Sequence, residues 1–159
     1  MSAGPLVASG VGILLLVVTA YVLIGGTLAT TEVVVEAQSN LATYQEAKMR
    51  TAIEIQNTTI ADGALYIEVM NTGSEPVVEI SSIDVYVQSG GVPVYIPYQA
   101  GANHWDRVSI TPDEVHPGEL DPGETLNLSV TYEEDIDPTW VQVVTGNGVS
   151  SSAYINPGV

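Results

Sequence analysis

Residues 2 to 31, SAGPLVASGVGILLLVVTAYVLIGGTLATT, carry no acidic or basic side chain, while the rest of the chain is crowded with carboxylates. A bilayer's hydrocarbon core is about 30 Å thick and takes about 20 apolar residues of a helix rising about 1.5 Å each. The run from Leu6 to Leu28 meets that length with some tilt to spare, so the sequence predicts a single N-terminal transmembrane helix. A cleaved secretory signal is the competing reading. Such a signal opens with a basic region and holds a shorter apolar run, and no Lys or Arg precedes Leu6. Gly25, Gly26 and Ala29 nevertheless have the size of cleavage-site residues.

Small side chains one turn apart let membrane helices approach closely. Ala8 and Gly12, with Gly25 and Gly26, are the candidates for helix packing. Gly is also simply commoner in membrane helices than in soluble ones. Pro5 stands near the start, where its missing N–H costs nothing.

Of the 159 residues, those beyond the span suit one domain and a connector, and the chain is divided as residues 1–50 and 51–159. The formal charge of −16 sets 19 acidic residues against three basic ones, Lys48, Arg50 and Arg107. That surface repels phosphate backbones, which excludes nucleic acid as a partner, and it repels anionic lipid headgroups. With no Cys in the chain, disulfides, thiolate metal sites and copper binding of the cupredoxin kind are excluded.

Orientation is read from conflicting signs. Lys48 and Arg50 lie at the outer limit of the window in which basic residues hold a flank in the cytoplasm. The glycosylation triplets Asn57-Thr58-Thr59 and Asn127-Leu128-Ser129 point the other way. The expectation is a C-terminal domain outside the cell membrane.

From Thr31 to Arg50, Val34, Ala37, Leu41, Tyr44 and Lys48 recur at steps of three and four, the spacing of one helical face. The helix is expected to continue as a stalk; a new helix capped by Thr30 or Thr31, or a short strand through the three valines, is the alternative. Past Arg50 the period becomes two. Ala52–Asn57 and Ala64–Met70 alternate around Asp62-Gly63, a favoured hairpin turn. Further strands are expected at Val77–Ile80, Ile83–Gln88, Val92–Tyr98, Val108–Ile110, Thr125–Tyr132, Trp140–Thr145 and Val149–Ile155. Pro93 and Pro97 assign Val92–Tyr98 to a sheet edge or a loop. Gln99–Arg107 reads as a surface loop and Thr111–Gly123 as the long irregular connection. Short strands with regular turn signals point to a mainly β fold, an immunoglobulin-like antiparallel sandwich, with a Greek-key barrel as the alternative.

No catalytic or cofactor signature emerges, and no catalytic, cofactor or metal residue is assigned. His104 and His116 sit in loop-like sequence without a neighbouring nucleophile. Glu133-Glu134-Asp135-Ile136-Asp137 concentrates carboxylates suited to Ca²⁺ but lacks the spacing of a calcium loop. Tyr86, Tyr95, Tyr98, Trp105 and Tyr132, read as exposed, are the candidates for partner binding, because such rings bury much area at low entropic cost. Ordinary sheet packing accounts for them equally well.

The Gly-rich apolar helix, the acidic stalk and Met49-Arg50-Thr51-Ala52-Ile53-Glu54-Ile55 are followed by Ile67-Glu68-Val69-Met70-Asn71-Thr72-Gly73-Ser74 and Ile83-Asp84-Val85-Tyr86-Val87. Leu120-Asp121-Pro122-Gly123-Glu124-Thr125-Leu126 and Val141-Gln142-Val143-Val144-Thr145-Gly146-Asn147-Gly148-Val149 complete the order. In that order the chain resembles the archaellum accessory proteins FlaF and FlaG, FlaF more closely. The resemblance implies a membrane-anchored, non-rotating part of the archaeal motility machinery. Its external sandwich is expected to bind the surface-layer (S-layer) protein, in company with a FlaG-like partner or as a homodimer. Archaellins and archaeal pilins share the helix-plus-sandwich plan and polymerise through the helix into a filament. Their basic leader is not seen ahead of Leu6, which weighs toward the accessory proteins.

Overall fold

The computed structural model describes residues 3–155; the side chains at 27–30 also fall outside the described ones, among them Leu28, Ala29 and Thr30 invoked above. One uninterrupted helix, α1, runs Gly4–Arg50, so Thr31 starts no new helix and the three valines form no strand. Leu6, Leu14, Leu16 and Tyr21 are between 65% and 80% exposed, and the helix is long and apolar enough to cross a membrane. Its hydroxyls suit that setting: Ser9 donates to the Leu6 carbonyl at 2.9 Å and Thr19 to the Leu15 carbonyl, which leaves neither group unpaired among apolar side chains.

Two compact units divide the chain between Thr43 and Tyr44. The second holds β1 (Ile53–Ala61), β2 (Ala64–Asn71), β3 (Asp84–Ser89), β4 (Val92–Ile96), β5 (His104–Thr111), β6 (Thr125–Thr131), β7 (Pro138–Val144) and β8 (Ser150–Tyr154). They form two antiparallel sheets, ordered β1-β2-β6-β5 and β4-β3-β7-β8. In immunoglobulin lettering these are ABED and C′CFG.

Alternation builds the core. Leu65, Ile67 and Val69 of β2 lie opposite Val130, Leu128 and Leu126 of β6. Val85 and Val87 of β3 lie opposite Val143 and Val141 of β7, and all ten side chains are fully buried between the sheets. Asp62 and Gly63, at φ of 51° and 77°, make the expected two-residue hairpin, the form that follows strand twist. The sheets also meet along both edges. Ile55 donates its N–H to Ser151 Oγ at 3.1 Å on one side. Trp105 donates to the Pro97 carbonyl at 2.9 Å and Gln99 to the Trp105 carbonyl at 3.0 Å on the other.

Three expected elements differ. Val77–Ile80 is no strand: Val77 makes a lone bridge to Leu120 and a short 3₁₀ turn follows at Ile80–Ser82. β5 begins at His104, inside the stretch expected to be a loop. β7, an inner strand, starts at Pro138, whose missing N–H is tolerated as the first strand residue, beside the register shift at Gln88/Ser89 and ahead of the pairing with β8.

The end of α1 is fastened to the sandwich. Tyr44 Oη donates to the Asn147 carbonyl at 3.1 Å, and Asn147 Nδ2 to Thr51 Oγ1 at 2.8 Å. Gly73 donates to the Ala52 carbonyl at 3.0 Å and Ser74 to the Arg50 carbonyl at 2.8 Å. Asn71, wholly buried, supports that turn: its Nδ2 donates to the Glu75 and Leu120 carbonyls at 2.9 Å each, and its Oδ1 accepts from Gly73 N–H at 3.0 Å. A Cβ on Gly73 would stand 2.4 Å from the Ala52 nitrogen and 2.5 Å from the Arg50 carbonyl oxygen. Gly73→Ala must therefore push backbone from backbone, with an expected loss of about 1 to 3 kcal/mol in chemical unfolding, the scale of overpacking; an unchanged unfolding midpoint would contradict the tight contact.

Candidate functional site

The outward face of the β4-β3-β7-β8 sheet carries the aromatic side chains that alternation denies to the core. Pairing sets Tyr95, Tyr86, Gln142 and Ser152 in one row across the strands, and Pro93, Gln88, Trp140 and Tyr154 in the next. The Tyr86 and Tyr95 rings lie 5.4 Å apart at 49°, a favourable tilted pair. Tyr95 is half exposed and Tyr154 is 79% exposed. Partial desolvation, then the Asp84 carboxylate beside it, raises the Tyr95 phenol above its ordinary value. Trp140 and Tyr154 belong to this face although sequence reasoning did not select them. The signal was present: Trp140 precedes Val141 and Val143, so period two turns it outward.

The other three aromatic candidates behave differently. Trp105, expected to be exposed, is fully buried, its ring 4.6 Å from that of Tyr98. The physical reason is the register shift in β5 between Arg107 and Ser109, which lets Trp105 and Ile110 face the same core although odd spacing separates them. Tyr98 and Tyr132 pack against the core with part of each ring exposed. Burial, then Asp137, raises the Tyr132 phenol.

Of the two histidines, His116 is the exposed loop residue expected, whereas His104 is a half-buried strand residue. His104 lies in β5, its Nδ1 3.1 Å from the Gly101 carbonyl and its Nε2 3.2 Å from Asp106 Oδ2. His116 sits in the β5–β6 connection with Nδ1 2.9 Å from Asp121 Oδ1, and its backbone N–H donates to Asp121 Oδ2 at 2.9 Å. That bond to Asp121 is the main cause raising the imidazole pKa, and the same bond is the main cause lowering that of the Asp121 carboxyl. Glu124, also buried, accepts the Asp121 N–H at 3.1 Å and the Glu114 N–H at 3.3 Å.

His116, Glu119 and Asp121 are the only group of three such donors whose ligand atoms converge among the described residues. The acidic run Glu133–Asp137 does not converge: it turns the chain between β6 and β7, with Ile136 plugged inward and its four carboxylates exposed.

In α1, Ala8 and Gly12 lie one turn apart, and Gly26 stands about five turns from Ala8 on the same side, with Gly25 about 100° around. A Cβ on Gly12, Gly25 or Gly26 would meet no neighbouring atom. The two glycosylation triplets also separate. Asn57 is exposed at the register shift in edge strand β1, whereas Asn127 lies within β6 with Nδ2 donating to Ser109 Oγ at 3.1 Å.

No family model and no curated protein matches the sequence. Among solved structures, the archaellum periplasmic stator protein FlaG from Sulfolobus acidocaldarius is similar over 65% of this chain and 97% of its own, at 19% identity and a TM-score of 0.53. The archaellum periplasmic stator protein complex FlaF and FlaG from the same organism is similar over 64% of this chain and 85% of its own, at the same identity and TM-score. At that identity the likeness is one of fold, and it does not single out FlaF.

The His116–Asp121 pair makes stability pH-dependent. An imidazole pKa raised by folding stabilises fully below its ordinary value of 6.5 and loses that contribution as pH rises through the folded value. A lowered carboxyl pKa stabilises above its ordinary 3.8 and fails as pH falls through the folded value. With a chelator present, the stability lost on His116→Gln is therefore expected to be greatest between those two ordinary values and to shrink above neutrality. Thermal unfolding across pH checks this; a loss independent of pH would contradict the pairing.

Proposed function

We propose that this chain is a membrane-anchored, non-rotating structural component of an archaellum, a stator-class protein that holds the archaeal envelope through its sandwich. The observation that carries the reading is the sandwich's likeness to nearly all of the FlaG chain, placed behind a helix whose apolar side chains lie open in the isolated molecule. Such a helix needs lipid or other helices around it. On this reading α1 crosses the cell membrane, residues 51–159 stand outside it, and Ala8, Gly12 and Gly26 offer the helix-pairing side, with Gly25 about 100° off it. The chain acts without catalysis and without a cofactor.

The partner is a surface-layer protein, met by the aromatic outer face of β4-β3-β7-β8. Tyr86, Tyr95, Trp140 and Tyr154 there combine area with polar tips, the composition of interface anchors. A FlaF- or FlaG-like second subunit, or a second copy of this chain, completes the assembly. The likeness to the FlaF and FlaG complex supports the pairing without deciding which member this chain replaces.

Full-length chain in detergent is expected to retain solubilised surface-layer protein from the same cells at native salt and pH. Replacing Tyr86 and Trp140 together by Ala is expected to weaken retention about tenfold or more, with unfolding unchanged. Absence of retention contradicts the partner. Recovery of the chain as the bulk constituent of sheared filaments would instead assign it to the filament. Orientation has its own readout: mass spectrometry of native protein should find any N-linked glycan on Asn57 rather than Asn127, and protease shaving of intact cells should remove the sandwich.

A further inference from the structure

We propose that His116, Glu119 and Asp121 form a binding site for one zinc-type divalent ion in the connection between β5 and β6. One ligand atom from each residue lies within 4.8 Å of the other two. His116 Nδ1 and Asp121 Oδ1 are 2.9 Å apart. Two donors about 2.1 Å from a shared ion stand about 3.0 Å apart at a right angle and about 3.4 Å apart at the tetrahedral angle. An ion can thus replace the proton shared by this pair with only a few tenths of an ångström of movement. Glu119 supplies the third donor, and its half-buried carboxylate accepts no hydrogen bond among the described residues.

The surroundings hold these donors in place. Asp121 is 4% exposed, and its second oxygen stays bonded to the His116 N–H, the kind of outer bond that orients a ligating carboxylate. Glu119 N–H donates to the His116 carbonyl at 3.0 Å, and Leu120, between Glu119 and Asp121, makes two 3.0 Å bonds with Val77. Arg107 Nη1 donates to the Gly118 carbonyl at 3.2 Å, and Gly118 N–H to Asp113 Oδ1 at 2.8 Å. The imidazole donor favours zinc-type ions over Ca²⁺ and Mg²⁺, which take oxygen ligands. Three protein donors leave a coordination position for water. Bound there, the ion staples residues 116–121 across the base of the loop.

The test is calorimetric titration of the full-length chain in detergent, first stripped by a chelator, with zinc chloride. One ion per chain is expected to bind saturably. His116→Ala and Glu119→Gln are each expected to weaken binding about tenfold or more, and His104→Ala to leave it unchanged. Glu119→Gln keeps the test decisive if His116→Ala unfolds, because that carboxylate supports no hydrogen bond of the fold. Absence of saturable binding overturns the site, as does binding that neither variant weakens, the mark of an adventitious ion only.

Discussion

Asn71 is the polar group on which the arrangement turns. A buried amide left unpaired would cost about 1 to 3 kcal/mol, and here every donor and acceptor is engaged: both Nδ2 hydrogens, the Oδ1, the backbone N–H to the Glu124 carbonyl at 3.0 Å and the backbone carbonyl from Gly123 at 2.8 Å. These bonds fix the end of β2 to the segment that leads into β6. They also shape the turn at 72–75, which grips the chain at Arg50–Ala52. One residue, through backbone and side chain, therefore serves the sheet, the long connection and the root of the helix together.

That joint has mechanical meaning. A domain on a Gly/Ser linker would swivel, whereas Gly73, Ser74, Tyr44 and Asn147 bond the last helical turns directly to the sandwich. The stator role proposed above calls for such a joint. The sandwich suits the role as well, since its sheets meet at both edges and Pro93 stands in β4, which limits the open backbone available for unwanted strand addition. The surface ion pairs of Arg50 with Glu46 and Glu75, at 3.8 and 3.6 Å, are exposed and add little.

Much of this was legible because two signals are strong. A long charge-free run allows few structures, and Leu65-Ile67-Val69 with Leu126-Leu128-Val130 announce two facing strands by period alone. Asp62-Gly63 was equally clear, since both residues must adopt positive φ. Legibility failed where a register shift breaks the period, as at Trp105, and where residues such as Val77 bury themselves in a lone bridge rather than a strand. His116 and Asp121 could not be paired from sequence, because their meeting depends on a loop shaped by Val77–Leu120 and Asn71. The aromatic face was half visible: Tyr86 and Tyr95 were selected, while Trp140 was passed over in favour of the buried Trp105.

The stator reading stands or falls on whether the sandwich stays still while the filament turns. Polarised single-molecule fluorescence of this chain, labelled rigidly on the sandwich in cells held to a surface by the body while their filaments turn, measures that directly. A label orientation fixed relative to the cell body throughout filament rotation is expected; an orientation that turns in step with the filament would contradict the assignment.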